Sequence, residues 1–404
     1  MPSISRSLRC PLPSRLTNVR IWDGVSDDYL VDTDAIRIEA GRIVAMGSGK
    51  VLCDGAEIYD CGGRTILPGL IDAHIHLCLD PEIRAALDQG KDTQAELRQR
   101  MIERCAAMVR AGITTARDLG GGTWDELHIR DRILAGEIPG PRLVCSGQPI
   151  TSIQGHCHFW GGEAADVEAA LSVLELQVEK GADLIKVMAT GGNLTPGSKP
   201  ELAQFDEPTL VTLVARAKSH GRHVAAHCHG TTGIRNATAA GVTTIEHCSW
   251  VGASGWGQDY DEETARQIGE RGIWVSPTVS ANWKRHLGRG DFEIRVRENF
   301  RRMREAGVKF IASTDAGIPN VLHHQLPLAL PMFAHFAELT PVQVLRAATS
   351  DCATAIGLGC ETGRIEVGMS ADLMLVAGDV LVDLDMLAAP AQVWARGVPM
   401  LEKV

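Results

Sequence analysis

The stretch LPGLIDAHIH (67–76) decides how the rest of the chain is read. It has the apolar content of a buried strand and ends on two histidines, His74 and His76, two positions apart. Alternate residues of a strand point to the same side, so both rings can face one way. The same spacing recurs at His156/His158 and His227/His229, three pairs among 14 histidines. A lone histidine is an ordinary surface or core residue; three pairs ask for a chemical reason.

Upstream of this stretch the text alternates as short strands do: VRIW (19–22), AIRIEA (35–40), RIVAMG (42–47) and AEIYD (56–60), divided by Gly- and Asp-rich turns. From residue 67 the rhythm becomes strand, loop, helix. Strands are expected at LIDAHIH (70–76), ITTARD (113–118), RLVCS (142–146), ADLIKVMA (182–189), RHVAAH (222–227), VTTIEH (242–247), IWVSPT (273–278) and VKFIAST (308–314). Between them one helix starts at Asp206, an N-cap followed by Glu207 and Pro208, with Leu210, Leu213, Val214 and Ala217 on one face. Another carries Leu97, Met101, Cys105 and Val109 at steps of four. Gly112, Gly181, Gly241, Gly272 and Gly307 each stand where a helix stops before a strand.

Eight such units suit an α/β fold, a (β/α)8 TIM barrel over residues 67–359. A doubly wound open sheet is the alternative, but the first turn lacks GxGxxG. After residue 360 strand-like text returns at GRIEVG (363–368), ADLMLVAG (371–378) and AQVWARGVPM (391–400). Residues 1–66 and 360–404 are expected to pair into one small β-sandwich domain beside the barrel.

Composition narrows the function. Forty Lys and Arg against 50 Asp and Glu leave a net charge of −10, with no basic block, which argues against a nucleic-acid partner. No apolar run approaches the roughly 20 residues of a membrane span, and the start, MPSISRSLRCPLPSRL, lacks a secretory core. Eleven scattered cysteines, several in apolar runs (Cys105, Cys145, Cys352), suit a reduced cytoplasmic setting.

Polar residues fall at telling places in the expected strands. His74 and His76 close the first, Lys186 interrupts the apolar fourth, His227 and His247 end the fifth and sixth, and Asp315 follows the eighth. Barrel strands converge at their C-terminal ends, where active sites of this fold are built. Four imidazoles, a carboxylate and a lysine at one rim suit Zn2+ or another borderline divalent ion; Mn, Co and Fe accept the same donors. An unpaired ammonium in a dry barrel is costly. Near two cations a neutral amine can take up CO2, and the resulting carbamate on Lys186 could bridge two metals.

These residues resemble the amidohydrolase superfamily: LPGLIDAHIH (67–76) its HxH signature, Lys186, His227, His247 and Asp315 in STDAG its later marks in order, and GRIEVGMSADLMLV (363–376) its C-terminal text. The resemblance covers essentially the whole chain. It implies a binuclear site, with His74, His76 and Asp315 on one metal, His227 and His247 on the other, and carboxylated Lys186 between. GHCHFWGGEA (155–164), KVMATGG (186–192) and HVAAHCHG (223–230) look like the imidazolonepropionase-like and prolidase-like dipeptidase branch.

The chemistry this implies is hydrolysis of an amide-type C–N bond by metal-activated hydroxide, with Asp315 as proton shuttle. The family offers a histidine as a further carbonyl or carboxylate contact; His229, His156 and His158 are the candidates. Trp124, Trp160, Trp250, Trp256 and Trp283 fall in expected βα loops, which suggests an aromatic or bulky apolar group on a small-molecule substrate, with Trp160 and Trp250 as contacts. Lys199, Lys284 and Arg285 could receive a substrate carboxylate. N-acyl amino acids, dipeptides and cyclic amides lead; carbamates, lactones or organophosphate esters, and a non-catalytic scaffold, are the alternatives. Family habit favours a homo-oligomer.

Overall fold

The computed structural model describes residues 14–48, 56–83 and 91–402. The opening residues 1–13, with their expected lack of a secretory core, lie outside the described residues, as do Cys10 and Cys53.

Eight parallel strands organise the middle of the chain. Leu70–Ile75, Ile113–Asp118 and Arg142–Cys145 form a three-stranded sheet. Ile185–Met188, Val224–Gly230, Thr244–Val251, Trp274–Ser276 and Lys309–Phe310 form a five-stranded one. Backbone bonds cross both gaps between the sheets. Asp183 N–H donates to Cys145 C=O at 2.8 Å and Met188 N–H to Ile150 C=O at 2.8 Å on one side. Ala73 N–H donates to Ala312 C=O at 3.1 Å and Asp315 N–H to His74 C=O at 2.9 Å on the other.

The helices between the strands form as their local text requires. Asp206 caps Glu207–Ser219 by accepting from Thr209 N–H at 3.0 Å. Gln94–Arg110 buries Met101, Cys105 and Val109, the stripe set by steps of four. The five glycines at the helix stops all have positive φ, from +66° at Gly272 to +89° at Gly112. Cys105, Cys145 and Cys352 are buried and unpaired.

The first strands build one sheet and join the last strands in a second. One runs Arg42–Gly47, Ala35–Glu39, Ser14–Thr17, Glu57–Asp60; the other Val398–Pro399, Gln392–Ala395, Leu373–Val376, Thr65–Pro68, Arg20–Ile21. Leu373–Val376 pairs antiparallel with Thr65–Pro68, joining the two ends of the chain. Leu16, Ile36, Ile38, Ile66, Leu375 and Trp394 pack into one core between them. GRIEVG (363–368), expected as a strand, is not one: it turns, and its buried Ile365 donates only a single backbone bond, to Asp23 C=O at 2.9 Å.

Two strands are also shorter than their apolar text suggests. IWVSPT (273–278) pairs only over Trp274–Ser276 and VKFIAST (308–314) only over Lys309–Phe310. Beyond those ladders the backbone turns left-handed, at Thr278 (φ +54°) and Asp315 (φ +61°), re-aiming side chains that a straight strand would alternate. Among the described residues no helix is long and apolar enough to cross a membrane.

Candidate metal centre

Three donors meet in a nearly equilateral triangle at the first strand. The Nε2 atoms of His74 and His76 are 3.3 Å apart, and Asp315 Oδ1 lies 3.3 Å from each. Both rings have spent their other nitrogen. His74 Nδ1 faces the Glu246 carboxylate at 3.0 Å, and His76 Nδ1 donates to Gly120 C=O at 3.0 Å. A carbonyl can only accept, so the His76 proton is on Nδ1 and its Nε2 presents a lone pair. Facing lone pairs repel unless a cation lies between them. Donors about 2.1 Å from a tetrahedral ion stand roughly 3.4 Å apart, which the triangle matches.

A second set sits alongside. His227 Nε2 donates to Gly191 C=O at 3.0 Å, which leaves Nδ1 proton-free, and that atom is 2.9 Å from His247 Nε2. His247 Nδ1 is occupied by Thr278 Oγ1 at 2.9 Å. His229 belongs to the same group of mutually close donors, its Nδ1 on Ser249 Oγ at 3.0 Å and its ring stacked 4.3 Å from that of His247. Each ring thus has one nitrogen anchored by a neighbouring oxygen and the other turned towards the cluster, the arrangement that orients imidazoles for a metal. Two of these candidate donors are strained: His247 (φ +67°) and Asp315 (φ +61°) both hold left-handed backbone, at roughly 1–3 kcal/mol each.

Lys186 is 1% exposed, and its Nζ has no hydrogen-bond partner. Burial pulls its ammonium below the ordinary lysine range, against the charges of Glu246 and Asp315. Burial also pushes His74 down to about 4 and His229 and His156 down to about 3, and His227 and His247 well below the usual histidine value. All five are neutral, the ligand form, at neutral pH. For Asp315, burial raises the carboxyl, but facing His74 and His76 outweigh it and hold it well below the usual range.

These groups open into a cavity of about 570 Å3. His156 lines it, with its ring 4.6 Å from that of His227 and a buried Nδ1 that has no partner. Gly192 makes room for that ring: a Cβ there would come within 2.5 Å of it. Trp160 covers His76 with ring centroids 5.1 Å apart; Trp250 is fully buried, its indole N–H directed at Met303 Sδ at 3.4 Å. His158 is not among the lining residues; its ring lies 6.0 Å from that of Phe159 in the short helix His158–Trp160. Of the three cations considered for a carboxylate, Arg285 lines the cavity, and Lys199 and Lys284 do not.

Three residues of the site, Glu246, Arg117 and Phe292, carry no mark in the sequence reading, whereas Trp256 is among its loop tryptophans. Glu246 and Arg117 are buried charges inside strands, the same signal that marked Lys186. Phe292, on the helix Asp291–Glu305, lines the cavity, as does the expected Trp256, edge-on to His229 at 4.8 Å.

The sequence model of the Amidohydrolase family matches residues 65–400, and the chain belongs to that family. It is a hydrolase acting on C–N bonds. Among curated proteins it is similar to the ochratoxinase of Aspergillus niger, 26% identical over 379 residues that cover 82% of this chain and 75% of the fungal protein. It is also similar to the imidazolonepropionase of Sphingopyxis alaskensis, 26% identical over 402 residues, 90% of this chain and 91% of that one. Among solved structures, a Xaa-Pro dipeptidase with bound methionine in its active site superposes with a TM-score of 0.82 at 25% identity, covering 96% of this chain and 99% of the other.

Proposed function

We propose that the chain is a binuclear metal-dependent amide hydrolase, built as a (β/α)8 barrel over 67–359 with a β-sandwich from 1–66 and 360–404. Its substrates are N-acyl amino acids, dipeptides or cyclic amides bearing an aromatic or bulky apolar group. The observation that carries this reading is the convergence of ring nitrogens from His74 and His76, and from His227 and His247, in a buried pocket. The dipeptidase name carried by a similar structure supports an amide substrate.

His74, His76 and Asp315 would hold one divalent ion and His227 and His247 the other, with Lys186 as a carbamate between them. The orphaned Lys186 Nζ supports that last assignment, since a buried ammonium without a partner is costly and carboxylation would remove its charge. Zn2+ suits the imidazole and carboxylate donors. When bound, the ions supply Lewis acidity and make a water acidic enough to ionise near neutral pH.

The chain's own groups do the rest. Asp315 takes the proton of the attacking water on a carboxylate oxygen and returns it to the leaving amine. His229, its Nδ1 occupied by Ser249, has Nε2 left to hold the substrate carbonyl oxygen as charge develops there. His156 offers its unpartnered Nδ1 to a second polar group of the substrate. Trp160 and Trp250 wall the site and exclude bulk water.

The test is metal analysis of purified protein beside hydrolysis of an N-acyl aromatic amino acid. Two equivalents of metal are expected, with turnover lost on chelation and restored by Zn2+; turnover in metal-free protein contradicts the reading. Full metal content and activity in Lys186→Ala would remove the carbamate.

A further inference from the structure

The cavity is polar at the metal centre and apolar at its other end, and that apolar arm has a charged edge with no part in the chemistry described above. Helix Asp291–Glu305 sends Phe292, Val296, Phe300 and Met303 into the cavity, at the steps of four and three that place residues on one helical face. The short helix Ala281–His286 supplies Trp283, Arg285 and His286 beside it. The His286 ring lies 4.7 Å from Phe292 and 6.0 Å from Trp283, so the wall is continuous.

Two donors on that wall lack acceptors. Arg285 Nε donates to His286 Nε2 at 3.1 Å, and its two terminal amino groups have no partner among the described residues. Because His286 Nε2 accepts, its proton is on Nδ1, and that atom is buried without a partner. Lys284 and Arg289, on either side, make no ion pair with any described residue. A planar guanidinium with two free amino groups matches a carboxylate.

We propose that Arg285, backed by His286 Nδ1, binds a carboxylate carried by the part of the substrate that lies in the apolar arm. The enzyme therefore selects amides that join an apolar or aromatic body to a negative charge, such as N-acyl aromatic amino acids, over neutral amides of the same shape. This rests on the amide-hydrolase reading for the position of the scissile bond, but its recognition step can be read without catalysis.

The experiment measures dissociation constants by calorimetry on metal-loaded protein for N-benzenesulfonyl-L-phenylalanine and N-benzenesulfonyl-2-phenylethylamine, a pair that differs only by the carboxylate and has no amide to cleave. Wild type should bind the acid about 10- to 100-fold more tightly. In Arg285→Met that preference should fall to within about twofold of unity while the neutral compound binds as before, and Arg285→Lys should keep part of it. Equal binding of the pair by wild type, a preference that survives Arg285→Met, or binding of neither compound overturns the proposal. Hydrolysis of N-benzoyl-L-phenylalanine is followed separately: no cleavage beside an intact acid preference sinks the hydrolase reading and leaves this one standing.

Discussion

Glu246 accepts from His74 Nδ1 at 3.0 Å with one carboxylate oxygen and from Arg117 Nη2 at 2.8 Å with the other. All three are buried, and Arg117 is further tied to Ala73 C=O and Thr244 Oγ1. A ring held this way cannot rotate away from its neighbours. Glu246→Gln, which weakens the acceptor without changing its shape, should lower metal affinity about 10- to 100-fold in a chelator competition. Glu246→Ala leaves Arg117 buried without its partner and should cost about 3–5 kcal/mol in denaturant unfolding. Unchanged metal affinity in Glu246→Gln would show that the carboxylate does not orient His74.

Asp315→Asn keeps an oxygen near His74 and His76 and loses the base. Turnover should fall by about 10²- to 10⁴-fold while metal remains bound. A kcat within a few-fold of wild type would exclude Asp315 as the proton carrier.

Glu126 opens the helix Asp125–Leu134, buried, with neither carboxyl oxygen hydrogen-bonded. Burial, with the charge of Asp118 second, pushes it from 4.5 to about 8. Between those pH values the unfolded chain releases the proton and the folded chain keeps it, so stability falls as pH rises through that window. Glu126→Gln removes this loss. It should be more stable than wild type by about 1–3 kcal/mol at pH 8 and nearly equal at pH 4.5, as read by chemical denaturation at both values. A difference independent of pH would contradict the assignment.

Trp256 is 36% exposed and stands edge-on to His229, so it can be cut back at little cost to the core. Trp256→Ala should leave the melting temperature within a few degrees and raise KM for an aromatic N-acyl amino acid about tenfold, with a smaller effect on an N-acetyl aliphatic one. Equal effects on both would assign the indole to His229 positioning rather than to the substrate.

The sequence announces residues whose type conflicts with their setting. Histidines two apart at strand ends and a lysine inside IKVM (185–188) could be read because a buried strand has no ordinary use for them. Glu246 and Arg117 carried the same signal, but they sit beside more conspicuous neighbours and touch the metal donors only through His74 and Ala73. The apolar arm was harder to see. Phe292, Val296, Phe300 and Met303 read as an ordinary core-facing stripe, and periodicity cannot tell a cavity from packed core. His158 shares its spacing with the site pairs, but it starts a one-turn helix just after the left-handed Cys157 (φ +57°), so the alternation of a strand does not hold between it and His156. The turns at Thr278 and Asp315, past the ends of their strands, depend on left-handed backbone, for which threonine gives no local cue and aspartate only a weak one.

The most direct test of the central claim is anomalous scattering from crystals of fully active protein, recorded at the absorption edge of the metal found by elemental analysis. Two peaks are predicted, one among His74 Nε2, His76 Nε2 and Asp315 Oδ1, the other beside His227 Nδ1 and His247 Nε2. A single peak, or none, in protein that turns over at its full rate would contradict it.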